Sequence, residues 1–194
     1  MILPIYLLGT SVLRQPSIDL EKDSTELQNL IDDMLETMDK AMGIGLAAPQ
    51  IGHSKRLFVV NISAIAEEHY GADAELPDQP MVFLNATILD ESENVSEFEE
   101  GCLSIPDVHE EVIRSDTVRI RYFDRKWEEQ TGEFDGILSR VIQHEFDHIE
   151  GVLFIDHISP FTRRLIKRKL NEIMDGEVDV NYATYAEGKG GMAP

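Results

Sequence analysis

Cysteine, tryptophan and positive charge are what this 194-residue chain has least of: one Cys, one Trp, and 17 basic residues against 37 acidic ones. A single cysteine, Cys102, excludes an internal disulfide and leaves three uses for the thiol: core filler, reactive group or ligand. No apolar run reaches the roughly eighteen residues that a membrane span needs. The opening Ile2-Leu3-Pro4-Ile5-Tyr6-Leu7-Leu8 has neither a basic leader nor a small-residue cleavage site, so we expect a cytoplasmic protein without membrane attachment. The shortage of cations gives a formal net charge of -20, which repels nucleic acid from most of the surface and argues against sequence-specific nucleic-acid binding. The few cations are unevenly placed. Arg163, Arg164, Lys167, Arg168 and Lys169 put five of the 17 into a short stretch near the end.

Periodicity supplies the elements. Leu27, Leu30, Ile31, Met34, Leu35, Met38 and Met42 recur at helical spacing over residues 24–42, and Asp23 with Glu26 resembles a capping box at the start. The methionines fit core packing better than a ligand cluster. Residues 56–61, 81–89 and 117–123 are β-branched or alternating and predict strands, with Val118, Ile120 and Tyr122 on one face and Arg119 and Arg121 on the other. Residues 63–80 predict an inserted surface loop with one helical turn. The acidic 90–100 stretch lacks the spaced oxygens and turn glycine of a calcium loop and predicts a solvated strand edge or hairpin. Residues 135–149 predict a helix closed by Gly151, with Ile137, Val141, His144 and His148 on one stripe. A last helix is expected over 160–174, with Leu165, Ile166, Leu170 and Ile173 inward. We expect one catalytic domain over 1–175 and a loose, flexible tail over 176–194. The fold class expected is α+β: antiparallel or mixed sheets packed around a central helix, flanked by an N-terminal amphipathic helix and a C-terminal helix.

The central helix carries the chemistry. His144-Glu145-Phe146-Asp147-His148 is an HExxH string, and residues four apart on a helix share a face. Both imidazoles can therefore reach one metal ion while Glu145 faces a water on it. Metzincin proteases extend the string as HExxHxxGxxH, which this chain matches through Gly151 and breaks at Phe154, whose ring cannot ligate. A third ligand must then come from Glu150, Asp156 or His157, or from upstream, where Cys102 stands in Glu100-Gly101-Cys102-Leu103-Ser104.

Three segments, Gly43-Ile44-Gly45-Leu46-Ala47-Ala48-Pro49-Gln50, Glu100 to Ser104 and Gln143 to His148, resemble in order the three motifs of the peptide deformylases. The resemblance covers residues 1 to about 175. It implies removal of the N-formyl group from the initiator methionine of nascent polypeptides, with release of formate. It also implies one divalent metal ion on Cys102, His144 and His148, with a position left for water: iron(II) in the cell, and zinc, nickel or cobalt as substitutes in purified protein. The nucleophile would be hydroxide generated at that ion, Glu145 the general base and then acid, and Gln50 and the Leu103 N–H the oxyanion donors. Gly43, Gly45 and Gly101 would let a peptide backbone approach closely, Ile44, Phe98 and Ile137 would line the methionine pocket, and Val141 would be a further substrate-binding residue. Glu100 would pair with Arg114 and hold the cysteine segment. Two positions depart from the family. Arg140 replaces a commonly aliphatic pocket residue, so its stem is expected to line the pocket and its guanidinium to reach the rim. His109 stands where many relatives carry a substrate-contacting arginine. Two other readings remain: an HExxH metallopeptidase with a further contact at Asp156 or His157, and a non-catalytic ribosome-associated protein in which the metal only staples the fold and the basic helix touches RNA phosphates.

Overall fold

A computed structural model of the chain describes residues 1–73 and 75–187. In chain order its elements are β1 (Ile5–Tyr6), α1 (Thr25–Lys40), β2 (Gly45–Ala47), β3 (Leu57–Val60), α2 (Ala66–Tyr70), β4 (Met81–Glu91), β5 (Val95–Cys102), β6 (Ile105–Ser115), β7 (Thr117–Phe123), β8 (Glu129–Asp135), α3 (Gly136–Ile149), α4 (Pro160–Leu165), α5 (Lys167–Met174) and β9 (Thr184–Tyr185). This is the expected α+β class.

Strands β2, β3, β4, β7 and β8 form one antiparallel sheet in the order β2-β3-β4-β7-β8. Successive side chains of a strand point to opposite faces, and β3 is buried on both. Phe58 and Val60 join a cluster with Leu138, Val141 and Ile142 of α3, whereas Leu57 and Val59 join one with Leu30, Ile31, Met34 and Met38 of α1. The sheet is thus sandwiched between α1 and α3. Val118, Ile120 and Tyr122 face inward and Arg119 and Arg121 outward, as their alternation predicts.

The helix over 24–42 begins one residue later than Asp23 suggests. Ser24 caps α1 by accepting from the Leu27 N–H at 3.1 Å, because the Asp23 carboxylate is taken by the Gln28 side chain at 2.8 Å. The acidic stretch runs into a hairpin of β5 and β6, closed by the two-residue turn Leu103–Ser104, with a register irregularity between Glu100 and Cys102. The inserted 63–80 segment holds one short helix, α2.

Two expectations about the C-terminal third change. The last helix is two helices that meet at Ile166, and Leu165 is 68% exposed while Leu170 and Ile173 are buried. Positions 166, 170 and 173 share a stripe; position 165 is a quarter-turn off it, so Leu165 faces outward. The described part of the segment from 176 is packed rather than loose: β9 pairs in parallel with β1, the Ile5 and Leu7 N–H groups donate to the Ala183 and Tyr185 carbonyls at 2.8 Å, and Thr184 is buried. The remainder of that expected tail, 188–194, lies outside the described residues. Among the described residues no helix is long and apolar enough to cross a membrane.

Candidate functional site

Helix α3 is held at both ends by other parts of the chain. At its N-terminus the Asp135 side chain makes no cap; the Tyr70 hydroxyl, from the inserted segment, accepts from the Leu138 N–H at 2.8 Å and donates to the Asp135 carbonyl at 2.7 Å. At its C-terminus Gly151 adopts φ +76°, and a Cβ there would strike the Arg14–Gln15 backbone. The helix so fixed buries His144, Glu145 and His148 in the interior.

The hairpin brings Cys102, the last residue of β5, to these histidines. Its Sγ lies 3.3 Å from His148 Nε2, and one donor atom each from Cys102, His144 and His148 lie within 4.8 Å of one another. Glu100 Oε2 sits 2.9 Å from His144 Nδ1, which occupies that nitrogen and leaves Nε2 for the cluster. Burial works against a charge on His144, but Cys102 and Glu100 outweigh it and hold this imidazole well above its usual range. Burial and the charge of His144 push His148 well below the usual range. Two imidazoles and one sulfur brought together in this way fit a single divalent cation, and two imidazoles with one thiolate form a three-ligand set that zinc or iron(II) accepts. Phe154, which ends the metzincin pattern, stacks on the His144 ring with centroids 6.1 Å apart.

Glu145 is next to this cluster with Oε2 buried and unpartnered. Burial pushes its carboxyl up to about 7. The space that a Cβ would occupy at Gly45 is filled by that carboxylate, so the second glycine of the first motif makes room for Glu145. Gly43 likewise makes room for the Leu103 side chain, and Gly101 for the His109 ring. Gln50, in a 3-10 turn over Ala48–Ile51, is almost wholly buried. The Ala47 N–H donates to its Oε1 at 2.7 Å; a backbone N–H can only donate, so the amide oxygen is assigned and the NH2 points toward Cys102 Sγ and Ser104 Oγ, 3.5 and 3.4 Å away.

Beneath these groups lies a buried ionic cluster centred on Glu100. Arg114 binds it through both oxygens at 2.6 and 3.0 Å and reaches Asp147 at 2.8 Å, which ties β5 and β6 to α3. The expected Glu100–Arg114 pair is present. The expected reach of Arg140 to the rim is not: its guanidinium is buried, with bonds to Glu100 Oε1 and the Val112 carbonyl at 2.9 Å and the Ser96 carbonyl at 2.8 Å. A carboxylate supplied from β5 outcompetes water for it. The imidazole of His144 and the guanidinium of Arg114 overcome the cost of burial and hold Glu100 well below the usual carboxylate range.

Above the cluster opens a cleft of about 570 Å³. Gly43, Ile44, Gly45, Gln50 and Leu103 line one part of it, and Phe98, Glu100, Gly101, Cys102 and His109 another. Ile137, Arg140, Val141, His144 and Glu145 line it from α3, while His148 lies deeper. The Phe98 ring is 44% exposed, with Arg140 over one face and His69 of α2 against its edge. Sequence reasoning missed Met42 and Pro106 at the mouth, and Val180, Asn181 and Tyr182 from the C-terminal segment. No local pattern marks those three; they enter the cleft because β9 pairs with β1. Asp156 and His157, the alternative downstream ligands, are engaged elsewhere, with Arg14 and Arg163 and with Asp147.

Comparison with known proteins places this architecture. The polypeptide deformylase family model matches residues 2–164. A peptide deformylase of Salinibacter ruber is 53% identical over 182 residues, covering 94% of this chain and 93% of the relative. The crystal structure of peptide deformylase from Ehrlichia chaffeensis superposes with a TM-score of 0.81 at 32% identity, over 91% of this chain and 99% of that one. That from Synechococcus elongatus, in complex with actinonin, gives 0.74 at 37% identity, over 90% and 85%. With its three motifs gathered around one cleft, the chain belongs to the polypeptide deformylase family.

Proposed function

We propose that this hydrolase removes the formyl group from the N-terminal methionine of nascent polypeptides in the cytoplasm and releases formate. The observation that carries the reading is the meeting of Cys102, His144 and His148 with an unpartnered Glu145 carboxylate at the floor of a cleft. Cys102, His144 and His148 would hold one divalent ion, iron(II) in the cell, with zinc, nickel or cobalt able to replace it. Such an ion supplies Lewis acidity and lowers the pKa of water toward neutrality. Glu145 takes the proton of the attacking water and delivers it to the leaving amine nitrogen as the C–N bond breaks. A carboxyl brought up to about 7 by burial is matched to both halves of that task. The Gln50 NH2, oriented by the Ala47 N–H, and the Leu103 N–H donate to the oxygen that becomes negative in the tetrahedral intermediate. Ile44, Phe98, Ile137 and Val141 receive the methionine side chain, and Gly43, Gly45 and Gly101 border the peptide path.

The metallopeptidase alternative is disfavoured because Asp156 and His157 are committed to Arg14, Arg163 and Asp147. A purely structural metal would use a closed four-ligand site, whereas the described residues offer a group of three donors, two of which, Cys102 and His144, line a cleft. For ribosome contact, three of the five clustered cations already have acidic neighbours: Arg163 with Asp156, Arg168 with Glu172 and Lys169 with Asp107. The test is formate release from formyl-Met peptides by metal-loaded wild type and Glu145→Gln, with metal content measured in both. Formate from wild type alone, at equal metal content, supports the reading; cleavage at internal peptide bonds would overturn it.

A further inference from the structure

After α5 the chain turns at Gly176, with φ +75°, and crosses the molecule to pair with β1. Both ends of this strap are fastened. Near its start Val178 packs in the cluster of Leu7, Leu13 and Ile173. At its far end Thr184 is buried, the Leu7 N–H reaches the Tyr185 carbonyl, and the Ser11 N–H bonds the Glu187 carboxylate at 2.5 Å. Between the anchors, Val180, Asn181 and Tyr182 stand at the cleft.

The strap also reaches the turn that carries the cysteine. The Tyr182 hydroxyl donates to the Leu103 carbonyl at 2.8 Å, and the Leu8 N–H donates to the Ser104 carbonyl at 2.9 Å. Both carbonyls of the two-residue turn between β5 and β6 are therefore held, one by the strap and the other by the N-terminal segment that the strap pairs with. Gln50 Nε2 approaches Ser104 Oγ from a third side. The gripped carbonyl belongs to the peptide plane between Leu103 and Ser104, and the Leu103 N–H assigned above to the developing oxyanion lies in the adjoining plane, hinged to it at the Leu103 Cα, so the clasp limits how far that N–H can swing.

We propose that residues 180–182 form a further wall of the peptide cleft: Tyr182 is a positioning residue for Leu103, and Val180 and Asn181 contact the substrate beyond its first residue. This rests on the deformylase reading. The formyl-methionyl unit must sit at the three-donor cluster, so cleft residues outside the methionine pocket meet the residues that follow. A cleft of about 570 Å³ falls within the size range of complete ligand sites and has room for more than one residue. Val180, Asn181 and Tyr182 bring no charge there, Glu99 lines the same cleft, and Asp107, also in its lining, is paired with Lys169, so an acid placed on the strap would add a new charge to that border.

Two full-length variants test this. Tyr182→Phe removes the donor and keeps the ring; loss of one hydrogen bond that acts on the transition state lowers kcat about threefold to tenfold with KM unchanged. A drop in thermal midpoint with kcat unchanged would mean that Tyr182 is structural only and would overturn the assignment. Val180→Asp adds a charge to the wall. The ratio of kcat/KM for formyl-Met-Ala-Lys over formyl-Met-Ala-Glu should rise about fivefold over wild type, the scale of one partly screened charge pair. An unchanged ratio sinks the wall while wild-type activity on both peptides leaves the deformylase reading intact; wild type that releases no formate from either peptide fails that reading instead.

Discussion

Glu100 Oε2 and His144 Nδ1 lie 2.9 Å apart, and the same carboxylate accepts from the guanidinium groups of Arg114 and Arg140. One buried anion thus fixes the tautomer of a histidine of the metal-capable trio and neutralises part of two buried cations. Replacing Glu100 with Gln keeps the shape and removes the charge. Arg114 retains Asp147, but Arg140 keeps no carboxylate, so we expect a loss of about 3 to 5 kcal/mol, the usual scale for breaking a buried pair from one side. Metal content should fall in parallel. Chemical denaturation of the purified variant reads the first and metal analysis the second; wild-type values for both would show that Glu100 is dispensable.

Gly45→Ala places a methyl group where the Glu145 carboxylate sits. That carboxylate must move, and on the proposed role of Glu145 the displacement of a catalytic group by about an ångström costs on the order of a hundredfold in rate. We expect that loss in kcat with circular dichroism unchanged. Full activity would mean that Glu145 works from another position.

Gln50→Glu retains the oxygen that receives the Ala47 N–H and deletes the donating NH2. Loss of one oxyanion donor costs about a hundredfold to a thousandfold in kcat, with little change in KM. Steady-state kinetics on a formyl-Met peptide measures both constants, and a purely KM effect would assign Gln50 to ground-state binding.

In metal-free protein, burial raises the Glu145 carboxyl from an ordinary 4.5 to about 7. The folded state then binds more protons than the unfolded state between those values, so stability is fully present below the lower one and declines as pH rises through the window. Glu145→Gln abolishes this penalty. At pH 8 the metal-free variant should exceed metal-free wild type by on the order of 3 kcal/mol, and near pH 4 the two should converge. Urea melts at the two pH values decide it; a gap independent of pH would assign the difference to packing.

The parts of the fold legible in sequence are those whose signal is local. The α1 stripe, the alternation of β7 and the two histidines four residues apart each repeat with the period of their element. Strand β8 was not legible because it is an edge strand that buries only Phe134. Strand β6 was obscured by Pro106 and by Asp107 with φ +58°, which interrupt the alternation before Val108 and Val112. The metal-capable trio and Glu145 were legible from the motifs. The fate of Arg140 was not, since a long basic side chain usually carries its charge to water, and the carboxylate that captures it stands forty residues upstream. Tyr70 and Tyr182 were invisible for the same reason. Each holds a motif-bearing segment that is remote in sequence, through a hydroxyl that no periodicity records.

The pairing of β9 with β1 bears on the order in which the molecule becomes complete. Every residue of the three motifs has been synthesised by position 148, yet the hydroxyl that grips the Leu103 carbonyl belongs to residue 182 and the strand that anchors it to residues 184 and 185. Until residues 182 to 185 leave the ribosome, the first strand has no partner along this edge and the cysteine turn lacks one of its two carbonyl clasps. The cleft is thus completed by residues more than thirty positions beyond the last motif.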